Sequence, residues 1–572
     1  MKFSKLTLAI AATLGVSASF NAVALDLYVD TKTKQLFAEP ARGRVLLGAY
    51  EKVTEPSSAP GVSHSITPAS APAATSAEVA AIKQDLELKT NEIKALEEHA
   101  AEESKPSSVH VKLDDGIHFA TKDGNFTAGI NGRLQVDSQT NVNQNLPGKF
   151  GDYVNTPIAG VPTPGAPATL NDGATLRRAR LGVEGTFFKN TDYKFEYDFT
   201  RGNGLNAGGI TDAFVRYNFS SPFSIKAGSF KEPFSLEEAT SNRYLTFIER
   251  NMAVNTFVDN LNTYKVGLGL NYSADRWLVG SSFQTEGVGG YSNAYGSNAL
   301  SVTGVSGTTG SVTTTGSALG TNGGVNRNGG GGDTSWEVNT RIAGTPWFES
   351  KTKFLHAGAS GSYISINNNY YGNGAFNNGG VIFSNGLGGN VDRSLILSTG
   401  NLTIGNQGAA NQRQANNLKR FGGESALVYG PFSAQAEYLE TDVSGHGYNN
   451  TSLSGYYGYV TYFLTGESRN YSAKTGSWGR IKPNQNFDMK GGKGAWELAA
   501  GYDYMNLHSG AINGGRASTG KFGLNWYPNS HVRVMTNYVR ALDINTSNMT
   551  GQSLAWNKGA LDMIETRVQL DW

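Results

Sequence analysis

Apolar and polar residues alternate with a period of two along most of the chain, from about Asp115 to the C-terminus. In Tyr193-Lys194-Phe195-Glu196, for example, one face is aromatic and the other is ionisable, which is typical of a β-strand between two different environments. About sixteen segments of roughly ten residues have this pattern. They begin near Asn125, Thr175, Asp192, Gly209, Pro222, Thr263, Arg276, Thr334, Thr352, Phe421, Phe432, Leu453, Gly494, Thr519, His531 and Leu561.

The number of these segments favours a transmembrane β-barrel over a soluble sandwich. A soluble protein would have to bury every aromatic face, whereas a barrel exposes these faces to lipid and turns the polar faces into its lumen. A closed barrel also pairs every backbone group in the hydrocarbon region. We therefore predict an all-β fold, a sixteen-stranded antiparallel transmembrane β-barrel over residues 115–572.

The connections between the segments alternate in length, as periplasmic turns and outer loops do in such barrels. Short connections include 189–191, 220–221, 273–275 and 430–431, and long ones include 138–174, 230–262 and 286–333. This parity predicts that both termini lie in the periplasm. The connections 286–333 and 367–420 are rich in Gly and Asn, and neither has the strand-turn-helix context of a phosphate-binding loop, so flexible outer loops are predicted there.

The N-terminal part of the chain has three different patterns. Residues 1–24 read as a signal peptide, because Lys2 and Lys5 precede an apolar stretch that ends in small residues. Residues 25–75 combine an alternating stretch, which could form a small hairpin, with a linker rich in Pro, Ser and Ala. In 76–104, apolar residues recur at spacings of three and four, which predicts a short periplasmic coiled-coil helix. A single solvated helix is the alternative.

The composition excludes several classes of protein. The 572 residues contain 72 Gly and no Cys, which excludes disulfide scaffolds, thiol nucleophiles and Cys-ligated metal sites. The mean hydropathy is −0.35, and no apolar run after the signal peptide is long enough for a membrane-spanning helix. The signal peptide, together with the final alternating segment that ends on Trp572, predicts the outer membrane of a Gram-negative cell.

Ordered blocks of residues resemble the phosphate-selective porin O/P family. They are Arg177-Arg178-Ala179-Arg180-Leu181-Gly182, Gly228-Ser229-Phe230-Lys231-Glu232-Pro233-Phe234-Ser235-Leu236-Glu237, Phe247-Ile248-Glu249-Arg250, Tyr462-Phe463-Leu464-Thr465-Gly466-Glu467, Gly494-Ala495-Trp496-Glu497-Leu498, Leu524-Asn525-Trp526-Tyr527 and the ending Arg567-x-Gln569. The resemblance covers about 115–572. It implies a sixteen-stranded trimeric porin of a kind often reported as anion selective, although the family is broader than its named substrate.

Basic residues that the alternation turns into the lumen are the candidates for an anion pathway. Several guanidinium or ammonium groups could bind an anion weakly in succession, which permits both entry and release. The candidates are Arg178, Arg180, Arg216, Lys226, Arg243, Arg250, Arg341 and Arg480. The Arg-rich block gives extra weight to Arg178 and Arg180, and the resemblance suggests a projecting Arg250. The alternative is that these charges only hydrate the lumen and pair with acids such as Glu184.

Two connections are candidates for a constriction. The segment 230–262 is the third outer connection, which folds inward in trimeric porins, and it carries three bases against five acids. The link 466–493 is unusually long for a periplasmic turn and carries six bases against two acids, so part of it could enter the lumen. A bracing segment beneath the barrel is the alternative for this link.

These observations predict an outer-membrane porin that forms a water-filled channel for passive diffusion of small anions, such as phosphate. The alternatives are a general-diffusion porin with little selectivity and a structural barrel tethered to the cell wall. An enzyme is disfavoured because the histidines are scattered, and we expect no cofactor and no metal site. The expected partners are small anions, outer-membrane lipid and two further copies of the chain in a homotrimer, with peptidoglycan as a further candidate. Nucleic acid is not expected, because no basic stripe with interleaved aromatic residues occurs.

Overall fold

A computed structural model describes residues 25–30, 36–37, 44–50, 76–103, 109–113, 116–146, 169–200, 209–219, 222–259, 264–285, 335–366, 381–389, 391–392, 394–404, 408–549 and 552–572. The predicted signal peptide, the linker 51–75 and the predicted outer loop 286–333 lie outside the described residues. The chain divides into two compact units, Met1–Lys105 and Pro106–Trp572.

The first unit contains a small sheet and a helix. Strand β1 (Leu25–Asp30) pairs with both β2 (Leu36–Phe37) and β3 (Arg44–Tyr50), so the stretch predicted as a hairpin forms a three-stranded antiparallel sheet. The helix α1 (Ser76–Glu103) is 28 residues long. Leu86, Ile93 and Leu96 on its apolar seam are exposed in the single chain. The coiled coil therefore stays a prediction.

The second unit is a closed antiparallel barrel of sixteen long strands, as predicted. It begins with a hairpin of β4 (Val109–Lys112) and β5 (Ile117–Thr121). The wall strands are β6 (Phe126–Asn145), β7 (Gly173–Phe187), β8 (Thr191–Asp198), β9 (Gly209–Asn218), β10 (Phe223–Lys231), β11 (Tyr264–Ser273), β12 (Trp277–Gln284), β13 (Trp336–Ser350), β14 (Lys353–Ser365), β17 (Gln414–Tyr429), β18 (Phe432–His446), β19 (Tyr448–Phe463), β22 (Ala495–Ser509), β23 (Ile512–Tyr527), β24 (Val532–Asn545) and β25 (Ala560–Asp571).

Short elements lie in the connections between the wall strands. They are the strands β15 (Ser384–Asn385), β16 (Leu397–Ser398), β20 (Tyr471–Ser472) and β21 (Ser477–Trp478), and the helices α2 (Leu236–Ala239), α3 (Met252–Phe257) and α4 (Gln552–Ala555). No helix in the described part of the chain is both long and apolar enough to cross a membrane.

The barrel closes where β25 pairs with β6, with Gln569 opposite Gln135. This pairing ends at Arg133, which would leave the first residues of β6 as an open edge. The strand β5 covers that edge, with Ile117 opposite Ile130. The sequence did not predict this hairpin, which removes unpaired backbone groups at the seam of the barrel.

The alternation of side chains separates the outside of the wall from its lumen. On β7, Leu181 and Val183 are exposed on the outer face, whereas Arg178 and Arg180 are buried on the inner face. Three strands, β17, β19 and β23, begin five to seven residues before their predicted starts. The reason is visible at β17. Its outward residue two positions before the aromatic Phe421 is the polar Lys419, so the alternation of apolar and polar residues starts later than the strand does.

The wall has two different ends. The end with the short connections, such as 187–191 and 429–432, is called the turn end, and the opposite end is called the loop end. At the loop end the inward residues of β17 to β25 are largely apolar, and the described part of the connection between β14 and β17 packs on them. Val381, Phe383 and Leu397 are fully buried there. The prediction of a flexible loop over 367–420 is therefore wrong for these residues, because apolar side chains are spaced among the Gly and Asn residues.

Candidate anion pathway in the barrel lumen

The connection between β10 and β11 folds into the lumen, as predicted. The residues 232–259, called the inward loop, contain α2 and α3 and contact wall strands around the barrel. Burial of apolar side chains holds the loop in place, since Phe234, Phe247 and Val254 have at most 2% of their surface exposed. The lumen is thus packed at this level by its own loop.

Glycines in the wall allow the close approach of the inward loop. A Cβ atom added at Gly422 would lie 3.4 Å from the ring of Phe234, and one added at Gly523 would lie 3.3 Å from the ring of Phe247. At Gly280 the added atom would lie 3.2 Å from Pro233. Larger residues at these inward positions would push the loop away from the wall.

A buried ionic network joins the start of the inward loop to the wall. Arg420 on β17 donates to both carboxylate oxygens of Glu232, at 2.8 and 3.0 Å, and to the carbonyl of Phe257 at 3.0 Å. Lys265 on β11 donates to Glu232 at 2.9 Å and to Glu337 at 2.7 Å. All these charged side chains are at most 2% exposed. Removing one partner would leave a buried charge uncompensated.

Arginines of the family-like block form a second buried network. The Nε of Arg180 donates to Asp198 at 2.7 Å and its Nη1 donates to Glu196 at 2.9 Å. Arg178 donates to Gln135 at 3.0 Å and lies 3.6 Å from the carboxylate of Glu249 in the inward loop. Both arginines therefore face the lumen side of β7, but acids and amides of the wall and loop already satisfy them.

Glu249 is the point where the inward loop meets three arginines. It accepts hydrogen bonds from Arg177 at 2.8 Å and from Arg567 at 2.6 Å, in addition to its contact with Arg178. Although burial opposes ionisation, these guanidinium groups hold the pKa of Glu249 well below its ordinary value. The negative charge of this residue is thus matched by the wall.

Arg250 does not project into the pathway as the resemblance suggested. Its side chain is 1% exposed, and it lies 2.8 Å from Glu238 and 3.5 Å from Asp259. It also donates to the carbonyl of Thr240 at 3.2 Å. Arg250 therefore links two parts of the inward loop to each other.

The inward loop also contains a carboxyl group that favours its protonated form. Glu237 accepts hydrogen bonds from the backbone N–H and the side-chain amide of Asn251, at 2.9 and 2.6 Å. The carboxylate of Glu437 on β18 accepts the backbone N–H groups of Leu236 and Glu237. Burial, and then the charge of Glu437, raises the pKa of Glu237 to about 8.

The long link between β19 and β22, residues 464–494, also enters the lumen, from the turn end. The guanidinium of Arg469 lies 3.9 Å from the ring centroid of Trp478 and donates to Tyr459 at 2.9 Å. Arg341 on β13 donates to the carbonyl of Gly476 at 2.7 Å. The backbone N–H of Trp478 donates to Thr240 of the inward loop at 3.2 Å, so the two segments meet.

Most of the basic side chains of the long link are either exposed or paired with the wall. Lys474, Lys482, Lys490 and Lys493 are all exposed. Arg480 donates to Asp571 at 3.0 Å and to the carbonyl of Ser530 at 2.6 Å. The net charge of +4 on the link therefore overstates the positive charge of the part that packs inside the lumen.

The better-exposed part of the charged lumen wall lies on β7 to β10, toward the turn end. Lys194, Arg216 and Lys226 are the bases of this region, called the vestibule. The side chain of Arg216 is 43% exposed and donates to Asp192 at 2.6 Å. Lys194 lies 3.5 Å from both Glu184 and Asp212.

Lys226 differs from the other bases of the vestibule. Its Nζ lies 3.9 Å from the ring centroid of Phe230 and 5.0 Å from that of Phe214. Among the described residues, no carboxylate oxygen lies within 4.0 Å of it. The two rings position the ammonium group without neutralising it.

Sequence comparison identifies the family of the chain. The family model described as "Phosphate-selective porin O and P" matches residues 166–572. This chain belongs to that family. It is 26% identical to Porin O of Pseudomonas aeruginosa over 466 residues, which are 78% of this chain and 90% of that protein. It is 25% identical to an uncharacterized protein of Caulobacter vibrioides over 373 residues, 64% of this chain and 63% of the other.

Among solved structures, OmpT of Vibrio cholerae is similar at 12% identity and a TM-score of 0.41, with 78% of this chain and 98% of that chain covered. The strand pairing itself establishes the fold of the porin. Membership of the family makes the protein an outer-membrane porin, that is, a channel.

The porin distributes the eight predicted pathway residues over three places. The first place is the set of buried ionic contacts of β7 and the inward loop, which includes Arg178, Arg180, Arg243 and Arg250. Arg243 lies 3.9 Å from both Glu196 and Asp571. Arg216 and Lys226 are opposite each other in the vestibule. Arg341 and Arg480 hold the long link, and Arg341 pairs with Glu424 at 2.7 Å.

Sequence reasoning missed the wall arginines that hold the inward loop. Arg420 and Arg567 are each 1% exposed, and Arg133 donates to Glu196 at 2.7 Å. The alternation on β6, β17 and β25 would have turned all three inward. Nothing local distinguishes them from arginines in contact with water, because their partners are far away in the chain.

Proposed function

We propose that the porin is a passive channel for small anions, phosphate among them, and that its turn end faces the periplasm. The single observation that carries the preference for anions is Lys226, a partly exposed lumen cation that rests on two rings with no carboxylate within bridging distance in the described part of the chain. Arg216 opposite it is half-exposed and extends the positive surface.

The vestibule suits weak and repeated binding. The Nη2 and Nε atoms of Arg216 are occupied by Asp192, which leaves further N–H donors of the guanidinium for a passing anion. Lys226 can rotate its ammonium group and follow an anion along the wall. Several weak contacts of this kind favour entry while they still permit release.

Arg178 and Arg180 serve the channel indirectly in this proposal. Their hydrogen bonds to Gln135, Glu196 and Asp198 are 2.7 to 3.0 Å long, and both side chains are buried. This geometry favours a role in stabilising the wall over successive binding of passing anions. An anion could bind to either arginine only after one of these contacts opened.

The test is the reversal potential of single channels in a planar bilayer under a potassium chloride gradient, repeated with added phosphate. Lys226→Met together with Arg216→Ser should lower the anion-to-cation permeability ratio and weaken any block of chloride current by phosphate. Arg178→Ala together with Arg180→Ala should lower thermal stability and leave the reversal potential nearly unchanged. If only the second pair changed selectivity, the buried arginines would be the pathway.

The other functions predicted from the sequence give different results in the same recordings. A general-diffusion porin would conduct with a reversal potential that neither pair of substitutions shifts. A structural barrel tethered to the cell wall would fold and give no conductance. Either result would overturn the proposal.

We also propose a homotrimer in which α1 from each chain joins a periplasmic coiled coil. The support is the apolar seam of Leu86, Ile93 and Leu96, which is exposed in a single chain although such residues need a partner surface. Deletion of 76–103 should lower the temperature at which trimers dissociate, because the barrel holds the helices at high effective concentration. An unchanged dissociation temperature would exclude this role.

A further inference from the structure

The last part of the long link combines exposed apolar and exposed basic side chains. In the segment 487–496, called the boundary turn, Met489 is 88% exposed and Phe487 is 42% exposed. Lys490 and Lys493 in the same turn are also exposed. Exposed apolar residues beside lysines are typical of a surface that contacts the lipid headgroup region.

Two tryptophans attach the boundary turn to the lipid-facing side of the wall. The indole N–H groups of Trp496 and Trp526 both donate to the carbonyl of Lys493, at 3.1 and 3.0 Å. The two indoles stack with their centroids 5.5 Å apart, and Phe487 packs edge-on against Trp526 at 5.3 Å. Indoles at the ends of membrane strands mark the level of the lipid headgroups.

The backbone of the turn exposes Met489 in a conformation that is unfavourable for a residue with a side chain. Met489 has φ 58°, which lies in the left-handed region. The carboxylate of Asp488 stabilises this geometry, because it accepts the backbone N–H groups of Lys490 at 2.8 Å and Gly492 at 2.9 Å. The single acid of the turn is thus engaged by the backbone.

The two lysines are therefore available for a negatively charged partner. Within the described residues, neither Lys490 nor Lys493 has a carboxylate oxygen within 4.0 Å. A phosphodiester headgroup at this level would meet both ammonium groups, while its acyl chains would lie beside Met489, Phe487 and the outer wall. The two lysines match the negative charge of a phospholipid headgroup, and the exposed apolar residues match its acyl chains.

We infer that the boundary turn binds an anionic glycerophospholipid, such as phosphatidylglycerol, in the membrane leaflet at the turn end. The leaflet rests on the orientation in the proposed function, where the turn end faces the periplasm. The same link carries Trp478 and Arg469 into the lumen, so lipid bound at the turn also anchors the base of a segment that packs in the channel.

The inference is tested with spin-labelled phosphatidylglycerol and spin-labelled phosphatidylcholine in phosphatidylcholine vesicles that contain the full-length porin. Electron spin resonance gives the ratio of the association constants of the two lipids for the protein surface. We expect a clear preference for phosphatidylglycerol. Lys490→Gln together with Lys493→Gln should reduce this ratio by about fivefold per lysine.

The matched control is Lys474→Gln together with Lys482→Gln, which removes the same charge from the same link outside the boundary turn. It should leave the ratio unchanged. An unchanged ratio in the Lys490 and Lys493 variant, or an equal loss in the control, would overturn the inference. Heat-modifiable migration in gels verifies that each variant is folded. Reversal potentials measured on the same samples report separately on the proposed anion channel.

Discussion

The inward loop and the long link enter the lumen from opposite ends, and they differ in where their charged side chains lie. The inward loop buries acids in ion pairs, whereas the long link exposes its lysines. The inward loop has more acids than bases, and Glu232, Glu238 and Glu249 are buried against arginines or lysines. The long link has more bases than acids, and four of its lysines remain exposed. The segments touch through Trp478 and Thr240.

This difference teaches that the net charge of a segment does not indicate its effect on passing ions. Among the acids of the inward loop, Glu249 pairs with Arg177 and Arg567 of the wall and Glu232 pairs with Arg420, so the wall neutralises these two negative charges. The four lysines of the long link are exposed, so solvent and salt screen their charges. Position relative to the wall decides the electrostatic role.

The largest expected effect comes from the wall arginine that holds the inward loop. Arg420→Ala should lower the free energy of unfolding by about 3–5 kcal/mol, because the buried Glu232 would lose the guanidinium group that donates to both of its carboxylate oxygens. Guanidinium unfolding in phospholipid vesicles measures this change. The control is Arg540→Ala, whose side chain is 60% exposed and should cost less than about 1 kcal/mol. Equal losses would contradict the role of the buried network.

A smaller effect is expected when a larger residue replaces the wall glycine that a side chain of the inward loop packs on. Gly422→Leu should displace the ring of Phe234, cost about 1–3 kcal/mol and change the single-channel conductance. The neighbouring Gly423→Leu is a matched control, since an added Cβ there meets no atom within 4 Å. If Gly422→Leu left the conductance at the wild-type value, the position of the inward loop would not depend on the close approach of Phe234 to Gly422.

The comparison also predicts a pH dependence that belongs to the inward loop. The pKa of Glu237 is raised from 4.5 to about 8, so the folded protein holds this proton more tightly than the unfolded chain does. Its stabilising contribution is complete below about pH 4.5, declines as the pH rises and is lost above about pH 8. Unfolding free energies between pH 4 and 9 should show this slope, and Glu237→Gln should flatten it. A slope that persisted in the variant would belong to other groups.

The smallest effect is expected from the exposed charges of the long link. Lys474→Gln together with Lys482→Gln should shift the reversal potential much less than Lys226→Met does, because screened charges outside the lumen act weakly on ions inside it. Bilayer recordings of the two variants at the same ionic strength make the comparison. A larger shift from the link pair would mean that its lysines reach the pathway.

The alternation of residues such as Arg180 and Leu181 was sufficient to predict the barrel, its strand number and which side chains face inward. It could not predict what an inward arginine does. Arg420 and Glu232 are 188 residues apart in the chain, and no local pattern relates them. Within the candidate pathway, the half-exposed Arg216 and the buried Arg341 look alike in sequence, although only the first can contact a hydrated ion.

The sequence by itself determined the class of fold, the family and the sidedness of each strand, because these depend on a period of two that every wall residue must obey in order to face either lipid or lumen. Only the tertiary structure decided which charges are neutralised. That outcome depends on two connections folding back into the lumen, on glycines such as Gly422 that let them approach, and on ion pairs between distant residues. Neutralisation is a property of contacts at 3–4 Å, and strand periodicity carries no information about such contacts.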